Sequence, residues 1–412
     1  MFHRTISVAI AIISLFGHVG VRADELARPM FSLSGFGTIG LTHSDESQAD
    51  FTSNFLKASG AGFSRSWSGD VDSRIGAQVT ANFNPRWSAV LQVISEQRYD
   101  NSYRPIVEWA NLKYQITPDL NLRLGRIALP NFLAADYRKV GYALPWARTP
   151  GEVYNLVPIT NSDGVDFSYR MHSGDWKNTF QGAYGKTDIK YSDDNPARVR
   201  SILGFSNTIE YGAASARLSY VQGNLTIALA QPLFDGFRQF GPQGNAIADR
   251  YDGHDKRISF VGLGASYDPG DWFVSAELGK NTTHSFLGDK TAGYVSGGFR
   301  FDKFTSYVIL AQVRADSKSS DPGLSLTGLP PEPAAAAAEL NASLNNLLGV
   351  IGVQKSIAVG ARWDFMKNAA FKLQYEHIKL GAGSPGNLIL EQPGFRRGGS
   401  VNVFSAVLDF VF

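Results

Sequence analysis

The sequence alternates apolar and polar residues over long stretches, and this period of two limits the chain to a narrow set of folds. In a β-strand, successive side chains point to opposite faces, so an alternating segment has one apolar and one polar face. Residues 71–83 show the pattern most clearly, and it recurs at 120–124, 165–170, 356–365 and 371–376. One face of 71–83 carries Val71, Ser73, Ile75, Ala77, Val79, Ala81 and Phe83, and the other carries Asp72, Arg74, Gly76, Gln78, Thr80 and Asn82. The pattern predicts an all-β protein.

Short turns and long polar loops alternate between the predicted strands. The turns lie at 84–86, 117–119, 223–224, 268–271, 302–303 and 366–368, and the loops span 43–69, 97–105, 127–162, 186–207, 232–256, 281–292, 314–354 and 379–400. A soluble β-sandwich has no reason to place all its long loops at one end, whereas an outer-membrane barrel has short periplasmic turns and long extracellular loops. The strands between these connections number about 16, and barrels of this kind require an even number.

Closure of the sheet follows from hydrogen bonding. In hydrocarbon every backbone N–H and C=O must be paired within the protein, and a sheet achieves this only when its edges meet. Beyond Ala23 the chain has no run of about 18 apolar residues, so no membrane-spanning helix is predicted there. The mean hydropathy of −0.14 is compatible with a barrel, because its apolar residues alternate with polar ones. We therefore predict a transmembrane antiparallel β-barrel of about 16 strands, a size that leaves a water-filled interior.

Aromatic residues flank the short turns. Trp87, Trp176 and Trp272 each follow a turn, and Tyr114 and Tyr267 each precede one. Amphipathic rings are favoured at the membrane–water interface, where barrels carry aromatic girdles. Strand propensity alone also enriches Trp and Tyr, but their position beside the turns favours a girdle.

The first 23 residues have the pattern of a secretory signal peptide. A basic tip precedes an apolar run, and Val21 and Ala23 provide small residues before a cut at Asp24. A transmembrane anchor is the alternative, but the run is short, is interrupted by Gly and His, and has no charge cluster after it. We assign 1–23 to a signal peptide and 24–412 to one β-barrel domain.

Charge and cysteine content exclude other classes of protein. Two of the 39 basic residues, Arg4 and Arg22, lie in the signal segment, so 37 basic residues stand against 37 acidic ones in the mature chain. A neutral chain lacks the basic footprint that nucleic-acid binding requires, so no nucleic acid is predicted as a partner. The chain contains no cysteine, which excludes disulfides and thiolate metal sites.

Four segments together carry a family resemblance. They are FSLSGFG at 31–37, LGR at 124–126, NSDGVDFSY at 161–169, and a closing strand at 401–412 that ends on Phe412. None of the four is specific alone, but their order and spacing are. Over essentially the whole length after residue 30, the chain resembles the Gram-negative general (trimeric) porins.

The resemblance implies a function and partners. It implies an outer-membrane channel for passive diffusion of small hydrophilic solutes and ions, with no enzymatic activity, cofactor or metal. It further implies a homotrimer of separately conducting barrels in outer-membrane lipid, with Phe412 read by the outer-membrane assembly machinery. Finally, it implies that the third extracellular loop, here 127–162, folds inward and narrows the pore, with acidic residues facing wall arginines.

The candidate constriction combines wall arginines with loop carboxylates. Its predicted residues are Arg74, Arg123, Arg126, Arg362, Asp136 and Glu152. Three of the arginines fall on polar strand faces, and Arg126 lies at a strand end; the alternative is that all four are ordinary solvated lumen charges. The loop also carries Arg138, Lys139 and Arg148, so basic groups outnumber acidic ones and a weak anion preference is expected.

Other functions stay open at this point. A channel specific for one solute class would use loop aromatics, namely Tyr137, Tyr142, Trp146 and Tyr154, as stacking surfaces. An outer-membrane hydrolase would need a serine, a histidine and an acid within hydrogen-bond reach, and no nucleophile motif is present. An adhesin would use its long loops.

The long extracellular loop 314–354 contains a predicted short helix. Residues 334–348 are rich in alanine, with leucines at helical spacing, and Gly349 follows as the cap. The leucine stripe is expected to pack against neighbouring loops.

Overall fold

Sixteen β-strands form one closed antiparallel sheet in the computed structural model, which describes residues 30–193 and 196–412. The predicted signal peptide, 1–23, lies outside the described residues. The first strand pairs with the last from Phe36–Val411 to Ser44–Val403, and this pairing closes the sheet. The predicted antiparallel barrel of about 16 strands is therefore confirmed. The strands are β1 Phe31–Ser44, β2 Arg74–Asn82, β3 Trp87–Glu96, β4 Ile106–Gln115, β5 Leu120–Ala128, β6 Asn161–Ser173, β7 Trp176–Ile189, β8 Ala197–Tyr211, β9 Ala214–Thr226, β10 Lys256–Tyr267, β11 Trp272–Thr282, β12 Lys290–Phe301, β13 Phe304–Ala315, β14 Gln354–Met366, β15 Ala369–Leu380 and β16 Ser400–Val411.

The outer surface of the barrel is apolar. In β2, Ile75 and Val79 are exposed outward, whereas Gly76 and Gln78 point inward, as the alternation predicts. Each of the remaining fifteen strands also places large apolar side chains on the outside, among them Leu41, Leu91, Leu124, Leu218, Leu263, Leu278, Leu310 and Leu373. Soluble monomers rarely expose contiguous apolar patches of this extent, and a membrane barrel requires one.

The two ends of the barrel differ in their connections. At one end, here called the turn end, short turns join β2 to β3, β4 to β5 and so on; at the other, the loop end, the long connections lie. The predicted turn at 223–224 is wrong, because these residues lie inside β9, and the chain reverses instead at Gly212, whose φ is +54°. The predicted loop 186–207 is too long, because β7 has 14 residues and ends only at Ile189, and β8 has 15 and begins at Ala197. A strand needs only about 9–11 residues to cross the bilayer, so the ends of these strands lie in water and need no apolar face.

Helices and short strands occur only in the connections of the described residues. They are the strands Asp50–Phe51, Ala61–Gly62 and Trp67–Ser68, a 3₁₀ turn Gly141–Ala143, and the helices α1 Gly151–Tyr154, α2 Gln231–Arg238, α3 Gly241–Tyr251 and α4 Pro331–Leu348. Helix α4 starts three residues before the predicted 334–348, because a proline in the first helical turn needs no hydrogen-bonded N–H. Its leucine stripe packs on α2 and α3, where Phe234, Phe237, Leu344 and Leu348 are buried together.

None of the helices in the described ranges combines the length and the apolar character that crossing a bilayer requires.

Candidate functional site

The third long connection, residues 129–160, lies inside the barrel and is called the inner loop below. Trp146 Nε1 donates to Ser296 Oγ at 2.7 Å, and Tyr154 Oη donates to Glu277 Oε1 at 2.6 Å. Ser296 and Glu277 are buried side chains on the inward faces of β12 and β11. The inner loop therefore spans the lumen to reach the far wall.

Apolar packing holds the inner loop against one side of the barrel. Seven of its large side chains are buried: Leu129, Phe132, Leu144, Trp146, Val153, Tyr154 and Leu156. They contact inward residues of β8–β14, which include Val199, Ile202, Phe260, Phe273, Tyr294, Tyr307 and Ile309. Polar side chains are the rule inside such barrels, so this apolar stretch of inner wall exists because the loop covers it.

A buried lysine fixes the tip of the inner loop. Lys372 Nζ on β15 donates to the carbonyl oxygens of Gly141, Leu144 and Trp146 at 2.8, 2.8 and 2.9 Å. The same ammonium forms an ion pair with Asp409 on β16 at 2.8 Å, and both side chains are fully buried. Every proton of the ammonium therefore has an acceptor, which is the condition for burying a charge at tolerable cost.

An arginine anchors the following stretch. Arg148 donates to both carboxylate oxygens of Asp72 at 2.9 and 2.6 Å and to Ser405 Oγ at 2.5 Å, and Glu376 lies 3.5 Å away. Burial opposes the ionisation of Asp72, but the Arg148 guanidinium outweighs it and holds the pKa of this carboxyl below its usual value. Such bidentate pairs are rigid, so the loop is fixed at two points on the wall.

A cavity of about 580 Å³, called the basic cavity below, lies between the inner loop, the first long loop and the walls of β2–β7. Eight basic side chains line it: Lys57, Arg74, Arg98, Arg126, Arg138, Lys139, Arg148 and Lys190. Only three acidic ones do so: Asp72, Glu96 and Asp188. The cavity therefore carries an excess of positive charge.

Some of these cations are neutralised by wall carboxylates. Lys139 Nζ lies 2.7 Å from Glu96 and 3.0 Å from Glu108, and Arg126 lies 2.7 Å from Asp163. Arg74 is only loosely paired, with 3.8 Å between its Nε and a Glu96 oxygen. The acidic neighbours thus offset part of the positive charge but leave a surplus.

Two cations of the basic cavity, the buried Lys57 and the half-buried Arg138, contact carbonyl groups and no carboxylate within the described ranges. Lys57 Nζ donates to the Asp70 carbonyl at 2.7 Å, and Arg138 donates to the Val157 carbonyl at 3.2 Å and to that of Ile159. Burial lowers the pKa of Lys57 to about 8 and that of Arg138 to about 10. Both side chains therefore carry charge at neutral pH, and Lys57 titrates closest to it.

A second cavity, of about 610 Å³ and called the turn-end cavity below, lies on the turn-end side of the inner loop. Its charged lining is mixed: Arg217, Arg300 and Arg362 face Glu210, Asp268, Asp302 and Asp364. Arg300 pairs with Asp268 at 2.6 Å and Arg362 pairs with Asp364 at 2.7 Å. Leu144 and Tyr154 of the inner loop line both cavities, so this loop separates the basic cavity from the turn-end cavity.

The structure distributes the six predicted constriction residues over several places. Arg74 and Arg126 line the basic cavity, and Arg362 lines the turn-end cavity, where it also donates to the carbonyls of Tyr142 and Leu144. Arg123 is paired with Asp166 on β6 and lines neither of these two cavities.

The two predicted carboxylates also lie apart from each other. Asp136 is exposed and makes no ion pair with a described residue. Glu152 is buried, accepts from Gln354 Nε2 at 2.8 Å and Ser356 Oγ at 2.7 Å, and lines neither the basic nor the turn-end cavity. The arginines and carboxylates that sequence reasoning grouped together do not form one cluster.

Several important residues escaped the sequence analysis. Lys57, Arg98 and Lys190 come from three different loop-end connections, and Lys372 and Asp409 come from adjacent strands. Lys372 and Asp409 do show a sequence signal, since each is a charged residue on the inward register of a strand near the C-terminus. Nothing local indicates that either contacts a loop more than 220 residues away.

A hydrolase would need a histidine close to a serine, and His43 lies close to Ser66. His43 Nδ1 lies 3.1 Å from Ser66 Oγ and 2.7 Å from the Ser66 carbonyl, while its ring stacks on Trp67. No carboxylate among the described residues is hydrogen-bonded to His43. This exposed pair therefore lacks the third member that orients a catalytic histidine.

Comparison with known proteins gives likeness of fold. No family model matches the chain, and no curated protein does. Among solved structures, OmpF of Salmonella typhi in complex with daunomycin aligns with a TM-score of 0.54 at 14% identity, covering 93% of this chain and 97% of that chain. An anion-selective porin from Comamonas acidovorans aligns with a TM-score of 0.53 at 14% identity, over 93% and 99%. The outer-membrane protein OmpT of Vibrio cholerae aligns with a TM-score of 0.53 at 11% identity, covering 94% of this chain and 100% of that chain. Its trimer form aligns with a TM-score of 0.51 at 11% identity, covering 93% of this chain and 99% of that chain. The chain thus has the fold of the outer-membrane porins, a closed sixteen-stranded transmembrane barrel.

Proposed function

We propose that the protein is an outer-membrane porin of the general, trimeric family, which lets small hydrophilic solutes and ions diffuse down their gradients and catalyses no reaction. The observation that carries the proposal is the combination of an apolar outer wall with a charged, inner-loop-lined interior. Sixteen strands enclose more space than their own side chains fill. An inner loop that spans the lumen then determines which solutes pass.

The basic cavity supports a preference for anions. Its surplus positive charge lies between low-dielectric walls, which focus the field and raise the local concentration of anions. The loop cations Lys139 and Arg148 contribute less to this field than their number implies, because wall carboxylates pair with both. Arg74, Arg138 and Lys57 contribute more, since the carboxylates near them are distant or absent.

Assembly as a homotrimer in outer-membrane lipid is part of the proposal. The trimer form of OmpT from Vibrio cholerae, which has the same fold, supports it. Recognition of Phe412 by the outer-membrane assembly machinery is supported by the outward, half-exposed position of its ring beside β1.

Planar-bilayer recording of the purified full chain tests the proposal. We expect stepwise conductance increments that grow with salt concentration, and a reversal potential that favours anions in 0.1 M salt. Current that saturates with one solute would indicate a channel specific for that solute instead. Absence of conductance steps from folded barrels would overturn the porin function.

A further inference from the structure

A groove of about 870 Å³ crosses the outer surface of the barrel over β10–β15, and is called the outer groove below. One unbroken row of cross-strand neighbours forms much of its floor. The row is Leu263, Leu278, Gly293, Gln312, Lys355 and Lys379, each paired with the next. A second row, from Ala265 to His377, runs beside it on the turn-end side.

The outer groove climbs toward the loop end as it passes around the barrel. Leu263 lies seven residues from the loop end of β10, which starts at Lys256. Lys355 is the second residue of β14, and Lys379 is the penultimate residue of β15, both at the loop end. The tilt of barrel strands produces this slope. One end of the groove is therefore deep in the apolar band, and the other lies at its rim.

The deep end of the outer groove is apolar and is shaped by small residues. Gly293 and Ala276 leave a depression, and the exposed side chains of Leu263, Leu278 and Val295 border it. A depression of this kind accepts a linear hydrocarbon chain over its whole length.

The rim end is cationic and unpaired. Lys355 and Lys379 lie directly opposite each other across β14 and β15, both exposed and both facing outward. Neither forms an ion pair or side-chain hydrogen bond with a described residue, and the same holds for Arg314, on the outward face of β13 near them. Like charges opposite each other destabilise a strand pair, so an anion between them would stabilise it.

We propose that the outer groove binds an acylated lipid of the surrounding leaflet whose phosphate headgroup carries a net negative charge. The phosphate lies between the ammonium groups of Lys355 and Lys379, and one acyl chain descends past Gly293 toward Leu263. A second protein copy fits the outer groove less well. Its surface would have to carry a narrow apolar ridge that follows the slope of the groove and an anionic group where that ridge reaches the two lysines. The inference rests on the proposed outer-membrane location, with the loop end at the outer leaflet.

Native mass spectrometry of the full chain in neutral detergent, titrated with diphosphorylated lipid A, tests the inference. We expect one lipid A to be retained per barrel, and Lys355→Gln combined with Lys379→Gln to weaken retention at least tenfold. The matched control, Lys303→Gln with Lys367→Gln, removes the same charge from exposed turn-end positions and should retain lipid A as before. Ala276→Phe fills the deep end, keeps both lysines, and should also weaken retention.

Three results would overturn the inference. They are equal retention by the lysine variant and its control, equal retention of phosphatidylcholine and lipid A, and occupation of the groove by a second protein copy. Conductance of the same variants separates this inference from the porin function. If lipid A is retained through the two lysines by a barrel that does not conduct, the porin proposal fails and the lipid site stands.

Discussion

The ring of Phe410 on β16 lies against Gly37 on β1, directly opposite it across the seam that closes the barrel. A Cβ atom at Gly37 would lie 2.3 Å from Phe410 Cζ, so only glycine leaves room for the ring. Phe412 covers Gly35 in the same way, and these two residues exchange backbone hydrogen bonds of 2.8 and 3.0 Å. Each ring shields strand backbone that glycine leaves bare, a device by which aromatic residues stabilise sheets.

Gly37→Val should weaken this seam. The added side chain displaces the Phe410 ring, and overpacking of this kind costs about 1–3 kcal/mol. The free energy of unfolding in urea, measured on the barrel in detergent micelles, reports the loss. Gly297→Val is the matched control on the outer face of β12, where the nearest atom to an added Cβ is a carbonyl oxygen at 3.4 Å, and it should cost less. Equal losses would show that the ring contributes nothing to closure.

Val79→Arg and Gln78→Arg should differ sharply, although the positions are adjacent. Val79 faces outward and is 40% exposed, whereas Gln78 faces inward and accepts from Gln92 at 2.9 Å. A charge on the lipid face costs about 2–4 kcal/mol near the midplane. The inward arginine stays in water and loses the hydrogen bonds of Gln78 with Gln92 and Thr80, at a cost of about 1 kcal/mol each. Urea unfolding in lipid vesicles measures both, and a smaller cost for Val79→Arg would contradict the strand register.

Lys372→Met should loosen the inner loop. The substitution removes the lysine donor from the carbonyls of Gly141 and Trp146, leaves that of Leu144 with Arg362 as its remaining side-chain donor, and deprives Asp409 of its ion-pair partner. Removing one partner of a buried ion pair costs about 3–5 kcal/mol. We expect lower stability and noisier open-channel current. Adding Asp409→Asn removes the stranded charge and should restore part of the stability but not the quiet current. Open-channel current noise in Lys372→Met equal to that of the parent protein would show that the inner loop does not need this lysine as an anchor.

Arg74→Glu combined with Arg126→Glu should shift the reversal potential toward cations. Both arginines line the basic cavity, and neither is buried deeply enough to escape water. The shift should be large at 0.1 M salt and small at 1 M, because the screening length falls from about 10 Å to 3 Å. Arg86→Glu, at an exposed turn, is the control and should leave selectivity unchanged. An unchanged reversal potential in the double variant would remove these arginines from the selectivity site.

Anion preference should weaken between pH 7 and pH 9. The pKa of Lys57 is lowered by burial to about 8, so this lysine loses its charge within that interval rather than near pH 10.5. The same titration raises the stability of the fold as the pH rises. Between about pH 8 and 10.5 the unfolded chain binds one more proton at Lys57 than the folded chain, so the free energy of unfolding increases with pH in this interval. Reversal potentials at the two pH values test the first effect, and Lys57→Gln should abolish its pH dependence. A pH dependence that persists in this variant would assign the titration to another group.

Much of the fold was predictable from the sequence because strand alternation is a local property. Val79 and Gln78 can be placed on opposite faces from their neighbours alone, and so can the terminal strand that ends on Phe412. The failure at 223–224 has the same origin. Strands that project into water lose the apolar face by which they are recognised, so the last four residues of β7 and most of β8 resembled a loop, and two residues near the end of β9 resembled a turn.

Strand periodicity was enough to predict the closed barrel and its approximate strand number, and the family resemblance indicated the segment that enters the lumen. Which charges meet in the lumen depends on contacts between segments far apart in the chain. Lys372 contacts the carbonyl of Gly141 across 231 residues, and Arg148 contacts Ser405 across 257. Whether a cation is paired, as Lys139 is, or lacks a carboxylate, as Lys57 does, depends on distances of a few ångströms between strands and loops far apart in the chain. Electrostatic energy varies steeply over such distances, while periodicity records only the face on which each residue lies.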